Sequence, residues 1–292
     1  MKPFEFEAPE SLKAAVERLT REDPSVRVIA GGTALMVMMK AGVFRPSRLI
    51  SLHAIEERFS SIEQLSDGSL RIGAMATLAD MEHSNDLARF APVVRKTLKT
   101  LSNVRVRNVA TIGGHLAHAD PHMDLPPVLI ALDADVRLIG RSGERRIPVQ
   151  DLYAGYYETV LAPDELISEV LIPPHLQRRS AYVKCSTRAA HDWPAVGIAV
   201  SLDVANNVAR DPRIVVGAAT ERPLRATAAE AALSGHPIDA DILHRIGAAA
   251  ADTIECVGDA RGSAPYKKQL IGIYVKRALA AAVAGGAGAS DQ

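Results

Sequence analysis

The sequence predicts an α+β protein of two domains, and three observations predict it. Short apolar runs that suit strands recur at 26–30, 48–52, 135–139 and 165–172, with helical periodicity between them. At 173–179 two adjacent prolines lead into polar and basic residues, PPHLQRRS, and the pattern changes beyond them. After that break, apolar runs at 182–187, 195–203 and 213–219 read as a three-stranded meander, followed by helices at 227–234, 240–252 and 265–283.

The elements of the first domain follow in order. Leu12, Ala15, Val16 and Leu19 fall at helical spacing, so 9–22 reads as a helix with Pro9 in its first turn. The run 26–30 ends at Gly31, and Thr33 is placed to cap a short helix through Met39 that Gly42 ends. A second strand is expected at 48–52. The run 61–74 reads as a hairpin with Asp67 and Gly68 at its turn. Helices are expected at 77–84 and 92–100. The stretch 108–114 is too rich in small residues for a stable helix and reads as a strand edge entering a tight loop. A helix at 125–132, a strand at 135–139, a basic turn at 141–146, a turn at Pro163 and Asp164 and a strand at 165–172 complete it. The tail, 286–292, reads as frayed.

Composition narrows the function. Lys plus Arg equals Asp plus Glu at 34 each, and a zero balance argues against a general nucleic-acid or anionic-membrane binder. Two cysteines, Cys185 and Cys256, make no disulfide framework and cannot supply the four thiolates of an iron–sulfur cluster. A cytoplasmic setting is expected. The first residues, MKPFEFEAPE, have no signal-peptide apolar core, and no apolar run approaches the ~20 residues that span a bilayer.

The chemistry is concentrated in two glycine pairs, Gly31–Gly32 in RVIAGGTAL and Gly113–Gly114 in NVATIGGHLAHADPHMD. Paired glycines let consecutive amides face one concavity and let backbone approach phosphate closely. We expect the two loops to close on one diphosphate. The first pair opens GGTALM, which is not the G-x-G-x-x-G dinucleotide fingerprint. His115, His118 and His122 with Asp120 and Asp124 mimic a metal-ligand spacing. They lack the H-E-x-x-H arrangement on one helix face and are interrupted by Pro121, so they read as turn residues rather than ligands. No nucleophile–base signature accompanies Ser102, Ser186 or Cys185. Cys185 reads as a packing residue, Lys184 on the opposite strand face as solvated, and Trp193 as core or interface.

Taken together, AGGTAL, RNVATIGGHLAHADPHMDLPPVLIAL, DELISEVLIP, YVKCSTRAAHDWPAVGIAV and DARGSAPYKKQLIGIYVKRAL resemble the FAD-binding medium subunit of the molybdenum hydroxylases, the xanthine dehydrogenase and carbon monoxide dehydrogenase family. The resemblance spans nearly the whole chain. It implies a two-lobed FAD-binding domain of the vanillyl-alcohol oxidase (PCMH) type over 1–176, with lobes at 1–55 and 56–176. A small C-terminal α+β flavoprotein domain would occupy 177–285.

The resemblance also implies a site. Ala30, Gly31, Gly32, Thr33, Ala34 and Leu35 would form the first FAD loop. Ala110, Thr111, Ile112, Gly113, Gly114 and His115 would form the second. Asp124 would accept from an FAD hydroxyl, Leu101 would lie against the flavin ring and Leu166 would meet the adenine end. Lys184 would stand near the isoalloxazine. His115 departs from the family, where asparagine is common, and His191 stands where an acid is often found. Implied partners are a molybdenum-cofactor large subunit and a [2Fe-2S] small subunit, in a dimer of heterotrimers. Electrons would pass from the iron–sulfur subunit to FAD and on to an external acceptor, and this chain would supply no catalytic acid or base. The rival readings are a self-contained FAD-dependent oxidoreductase and a non-enzymatic nucleotide-binding module.

Overall fold

A computed structural model describes residues 3–174, 178–186 and 189–285. Part of the expected boundary at 173–179, and the tail at 286–292, lie outside the described residues. A three-stranded parallel sheet runs in the order Glu5–Glu7, Arg48–Ser51, Val26–Ile29. The helix Thr33–Lys40 makes the crossover between the last two of these strands in sequence. The helix Leu12–Arg18 covers the sheet, burying Leu12, Ala15 and Val16 against Ile50 and Leu52. Its N-cap is Ser11, whose hydroxyl accepts from the Ala14 amide, so the expected start at Pro9 is three residues early.

A five-stranded antiparallel sheet follows, in the order Ile62–Gln64, Leu70–Gly73, Leu166–Ile172, Asp135–Gly140, Gly143–Pro148. Its central strand is buried at every position, which explains the unbroken apolar run LISEVLI around a buried Glu169. Glu169 is paired with Arg71 at 3.4 Å and Arg137 at 3.1 Å. The basic turn expected at 141–146 is instead mostly strand. The chain reverses at Arg141–Ser142, and Gly143–Pro148 forms an exposed edge. An edge facing water carries charge rather than alternating apolar residues, and Arg145 and Arg146 pair there with Glu165 and Asp135.

The stretch 108–114 is also corrected. A first short helix, Val104–Arg107, precedes it, 108–109 is a turn, Thr111 is bridged to Thr77, and a second helix, Ile112–His118, replaces the expected loop from Ile112 on. Thr111 caps the second, its hydroxyl accepting from the Gly114 amide at 3.2 Å. Gly113 sits on the Ala74 backbone, where a Cβ would lie 2.9 Å from the Ala74 carbonyl oxygen. Close packing of the helix start outweighs the poor helix propensity of two glycines.

The C-terminal sheet has four antiparallel strands, not three: Arg179–Cys185, Val196–Ala205, Val208–Gly217 and the short Leu224–Arg225. The third begins earlier than expected. Asn206 and Asn207 both take positive φ, 51° and 61°, in a two-residue hairpin turn. One sheet face packs on helices Thr227–Leu233, Ala240–Thr253 and Ala264–Gly285. The other presents Ala199 and Val215 to the core of the first domain, which contains Val128 and Leu129 of the helix Leu125–Ala131. Gly217 lets Pro127 approach, since a Cβ there would stand 3.1 Å from its ring. Among the described residues no helix is long and apolar enough to cross a membrane.

Candidate functional site

The two glycine loops meet. Gly31 lies against the Val109 carbonyl and Ala110, so close that a Cβ would overlap backbone. A Cβ on Gly114 would be 3.9 Å from that of Ala30. This contact sits on a cavity of about 810 Å³, within the size range of cofactor sites. Of the expected site residues, Ala30, Gly31, Gly32, Thr33, Ala34, Leu35, Leu101, Ala110, Thr111, Gly113, Gly114, His115, Asp124 and Leu166 all line it. Ile112 and Lys184 do not. Ile112 points into the core.

The expected cap at Thr33 is corrected, and the correction matters for binding. Gly32 is the N-cap, at φ 68°, and no side chain caps the helix Thr33–Lys40. Its first amides therefore lack intrahelical and side-chain partners at the cavity wall. Such a helix start favours an anion through both its free donors and its dipole. Across from it, Gly114 opens space where any side chain would intrude. These features fit a diphosphate-bearing group such as FAD, and the apolar wall of Leu101, Leu161 and Leu166 fits its rings.

Lys184 is not a solvated-face lysine. Its side chain is 7% exposed, and its ammonium donates to Asp124 Oδ2 at 2.9 Å, Thr100 O at 3.0 Å and Asp192 O at 3.2 Å. Tyr182 donates to the other Asp124 oxygen at 2.6 Å. Burial pushes the Asp124 carboxyl upward, and the Lys184 charge and the Tyr182 hydroxyl oppose that push. Each Asp124 oxygen keeps a lone pair for a ligand hydroxyl at the cavity.

The histidines divide by environment. His115 lines the cavity, and burial, with His118 nearby, drives its pKa down to about 3. It is a neutral imidazole, and its Nε2 is buried without a hydrogen-bond partner. His118 packs its ring edge-on to Tyr157 at 5.2 Å. His122 bridges the domains: its ring nitrogens lie 3.0 Å from Asp120 Oδ1 and 2.7 Å from Asp259 Oδ2. Burial lowers the His122 pKa, but the two carboxylates outweigh it and the net shift is upward. Asp259 is held down to about 2, because its bonds to Lys267 and His122 exceed the cost of burial.

A raised histidine contributes stability fully below its unfolded pKa, near 6.5, and loses it as pH rises through the folded value. The melting temperature is therefore expected to fall as the pH rises from about 6.5 through the raised folded value, with a shallower fall in a His122→Asn protein. Thermal scans across that range check this; equal slopes in the two proteins would remove His122 as the cause.

Two cavity residues, Tyr157 and Trp193, escape sequence reasoning, and His191, set by the resemblance at a departing position, joins them on the wall. Tyr157 takes a left-handed φ of 57° and donates to Asp120 Oδ2 at 2.8 Å. Trp193 is 49% exposed rather than core, stacked on His122 at 5.7 Å, with the Arg261 guanidinium over its ring at 5.3 Å. His191 stands beside it on the cavity wall. All three come from loops distant in sequence, and only the tertiary fold brings them to the glycines. Among the described residues, no three His, Cys, Asp or Glu side chains are grouped to hold a metal.

Comparison with known proteins gives the same picture. Residues 2–175 match the family described as the FAD binding domain in molybdopterin dehydrogenase, and 181–282 match the CO dehydrogenase flavoprotein C-terminal domain. The carbon monoxide dehydrogenase medium chain of Hydrogenophaga pseudoflava is 33% identical over 96% of both chains. The xanthine dehydrogenase FAD-binding subunit of Escherichia coli O157:H7 is 25% identical over 92% of this chain and 93% of its own. The solved carbon monoxide dehydrogenase of Hydrogenophaga pseudoflava superposes with a TM-score of 0.92 at 34% identity, covering 97% of this chain and 99% of that one. Quinoline 2-oxidoreductase of Pseudomonas putida 86 superposes at 0.91 and 29% identity, covering 98% and 99%. With both halves matched and the glycine loops closed on one cavity, this chain belongs to the FAD-binding medium subunits of the molybdopterin hydroxylases, the carbon monoxide and xanthine dehydrogenase family of oxidoreductases.

Proposed function

We propose that this chain is the electron-transfer subunit of a molybdenum hydroxylase complex. It takes electrons from a [2Fe-2S] subunit and passes them to an external acceptor, while a molybdenum-cofactor subunit oxidises the substrate. The observation that carries the reading is the uncapped helix start at Gly32–Leu35, set against the first turn of the helix Ile112–His118 at Gly113–Gly114 on one cavity. When bound, FAD supplies the interchange between single-electron and two-electron donors and acceptors. The chain's own residues do the rest. The Thr33–Leu35 amides and Gly114 hold the diphosphate. Asp124, kept in place by Lys184 and Tyr182, accepts from a hydroxyl. Leu101 and the carbon-rich wall exclude water from the rings. The assembly is a dimer of heterotrimers, and the complex works in the cytoplasm.

Trp193 is the sole tryptophan and lines the cavity, so its fluorescence reports the site. Adding FAD to the apo chain is expected to quench that fluorescence, saturating at one FAD per chain. Quenching that fails to saturate, or a chain that binds no flavin, would refute the cavity assignment. Natively expressed protein is expected to co-purify with molybdenum and iron–sulfur chains. Recovery of the chain alone, turning over a substrate unaided, would favour a self-contained oxidoreductase instead.

A further inference from the structure

Three consecutive carbonyls beside the cavity are each held by a buried cation. The helix Pro92–Thr100 ends at Leu101, and the chain turns through Ser102 before the helix Val104–Arg107 begins. Leu101 and Ser102 both line the cavity. The last carbonyls of a helix lack partners within it and attract cations. Here the Lys184 ammonium donates to Thr100 O at 3.0 Å. One nitrogen of Arg107, Nη1, donates to Leu101 O at 3.1 Å and to Ser102 O at 2.7 Å.

Arg107 is itself fixed. It is 8% exposed, and its Nε donates to Glu82 Oε2 at 2.7 Å. Glu82 lies on the helix Leu78–His83, whose start carries a complete capping box of Thr77 and Asp80. Arg95 donates to the Glu82 carbonyl at 2.8 Å. The guanidinium is thus a rigid strut between a capped helix and the cavity wall. The wall needs one, because Ser102 takes a left-handed φ of 53°. An L-residue holds that conformation only where its surroundings impose it.

We propose that Arg107 is a positioning residue for the flavin, acting through the Thr100–Ser102 turn whose other end Lys184 holds. This rests on the FAD reading above. Arg107 does not line the cavity. Its effect is to set where the Leu101 side chain stands in the wall that faces the ring system. A lysine at this position keeps the charge but not the fork, so it cannot serve Glu82 and both carbonyls in the same geometry.

The test uses the full-length chain, freed of flavin and titrated with FAD, with visible-region circular dichroism of the bound flavin as a second readout. The parent is compared with Arg107→Lys and with Arg107→Lys/Ser102→Gly. Arg107→Lys is expected to fold, to bind FAD about tenfold more weakly and to change the flavin dichroism. Adding Ser102→Gly is expected to recover the parental dichroism in part, because glycine takes the left-handed turn without a clamp. Parental affinity and dichroism in Arg107→Lys would overturn the proposal. So would a double variant no closer to the parent than the single one, since the defect would then lie in general stability. If Arg107→Lys yields no folded protein, Glu82→Gln releases the strut's anchor and is expected to weaken FAD about threefold with altered dichroism. An unchanged Glu82→Gln protein would overturn the proposal equally. A parent that binds no FAD would refute the cavity reading itself, a distinct outcome.

Discussion

Gly31→Val is expected to produce a protein that retains no FAD and melts well below the parent. The cause is the loop-to-loop contact. A Cβ on Gly31 would overlap the Val109 carbonyl and stand 2.8 Å from the Ala110 Cα, and both are backbone atoms with no rotamer to escape into. Overpacking of this kind costs about 1–3 kcal/mol even where side chains can shift, and more where backbone must. Gly114→Val should behave differently. A Cβ there meets the Thr111 hydroxyl oxygen at 3.1 Å and the Ala30 Cβ at 3.9 Å, with no backbone atom in the way, so the fold survives. Yet the branched side chain would occupy the space assigned to the diphosphate, and FAD should be lost. Flavin-to-protein ratio and melting temperature measured on both variants separate the two effects. Normal flavin content in a folded Gly114→Val protein would refute the loop assignment. Undiminished stability in Gly31→Val would refute the contact.

That contrast shows how far the letters carried. The meeting of the two glycine pairs at one cavity was legible, because only glycine permits such close backbone approach. Their separate jobs were not. Gly31 is required by Val109, a residue nearly eighty positions away in sequence, and Gly113 by Ala74. Pairwise approach of this kind leaves no periodic trace. The strand–loop expectation for 108–114 failed for a related reason. Local propensity counted two glycines against a helix, whereas the Thr111 cap and the seat on Ala74 favour one. The Asn206–Asn207 hairpin was legible in principle, since adjacent asparagines tolerate positive φ. Asp203, Arg210 and Asp211 mask it by interrupting the apolar pattern around it. Trp193 and Tyr157 had no signal at all: each reaches the cavity from a turn far from the glycines in sequence.

Lys184 shows the same limit at an energetic scale, and Lys184→Met is the substitution expected to cost most outside the glycines. In sequence it is one lysine in a strand, which suggests a solvated face. In the fold it is a buried ammonium with three acceptors, and Asp124 is buried with it. Removing one partner of a buried ion pair leaves the other charge stranded, at about 3–5 kcal/mol. Replacing both restores neutrality, so Asp124→Asn/Lys184→Met should be more stable than Lys184→Met alone. A double-mutant cycle on melting is expected to give a coupling of about 0.5–3 kcal/mol, the range for residues in direct contact. Independent, additive effects would mean that the ammonium is held by the Thr100 and Asp192 carbonyls and not by Asp124. The flavin adds a second reading of the same cycle. If Asp124 serves the ligand as well as Lys184, the stabilised double variant should still bind FAD less tightly than the parent, because an amide accepts from a hydroxyl without the assistance of charge. Recovery of stability without recovery of affinity would thus separate the carboxylate's part in the fold from its part in the site.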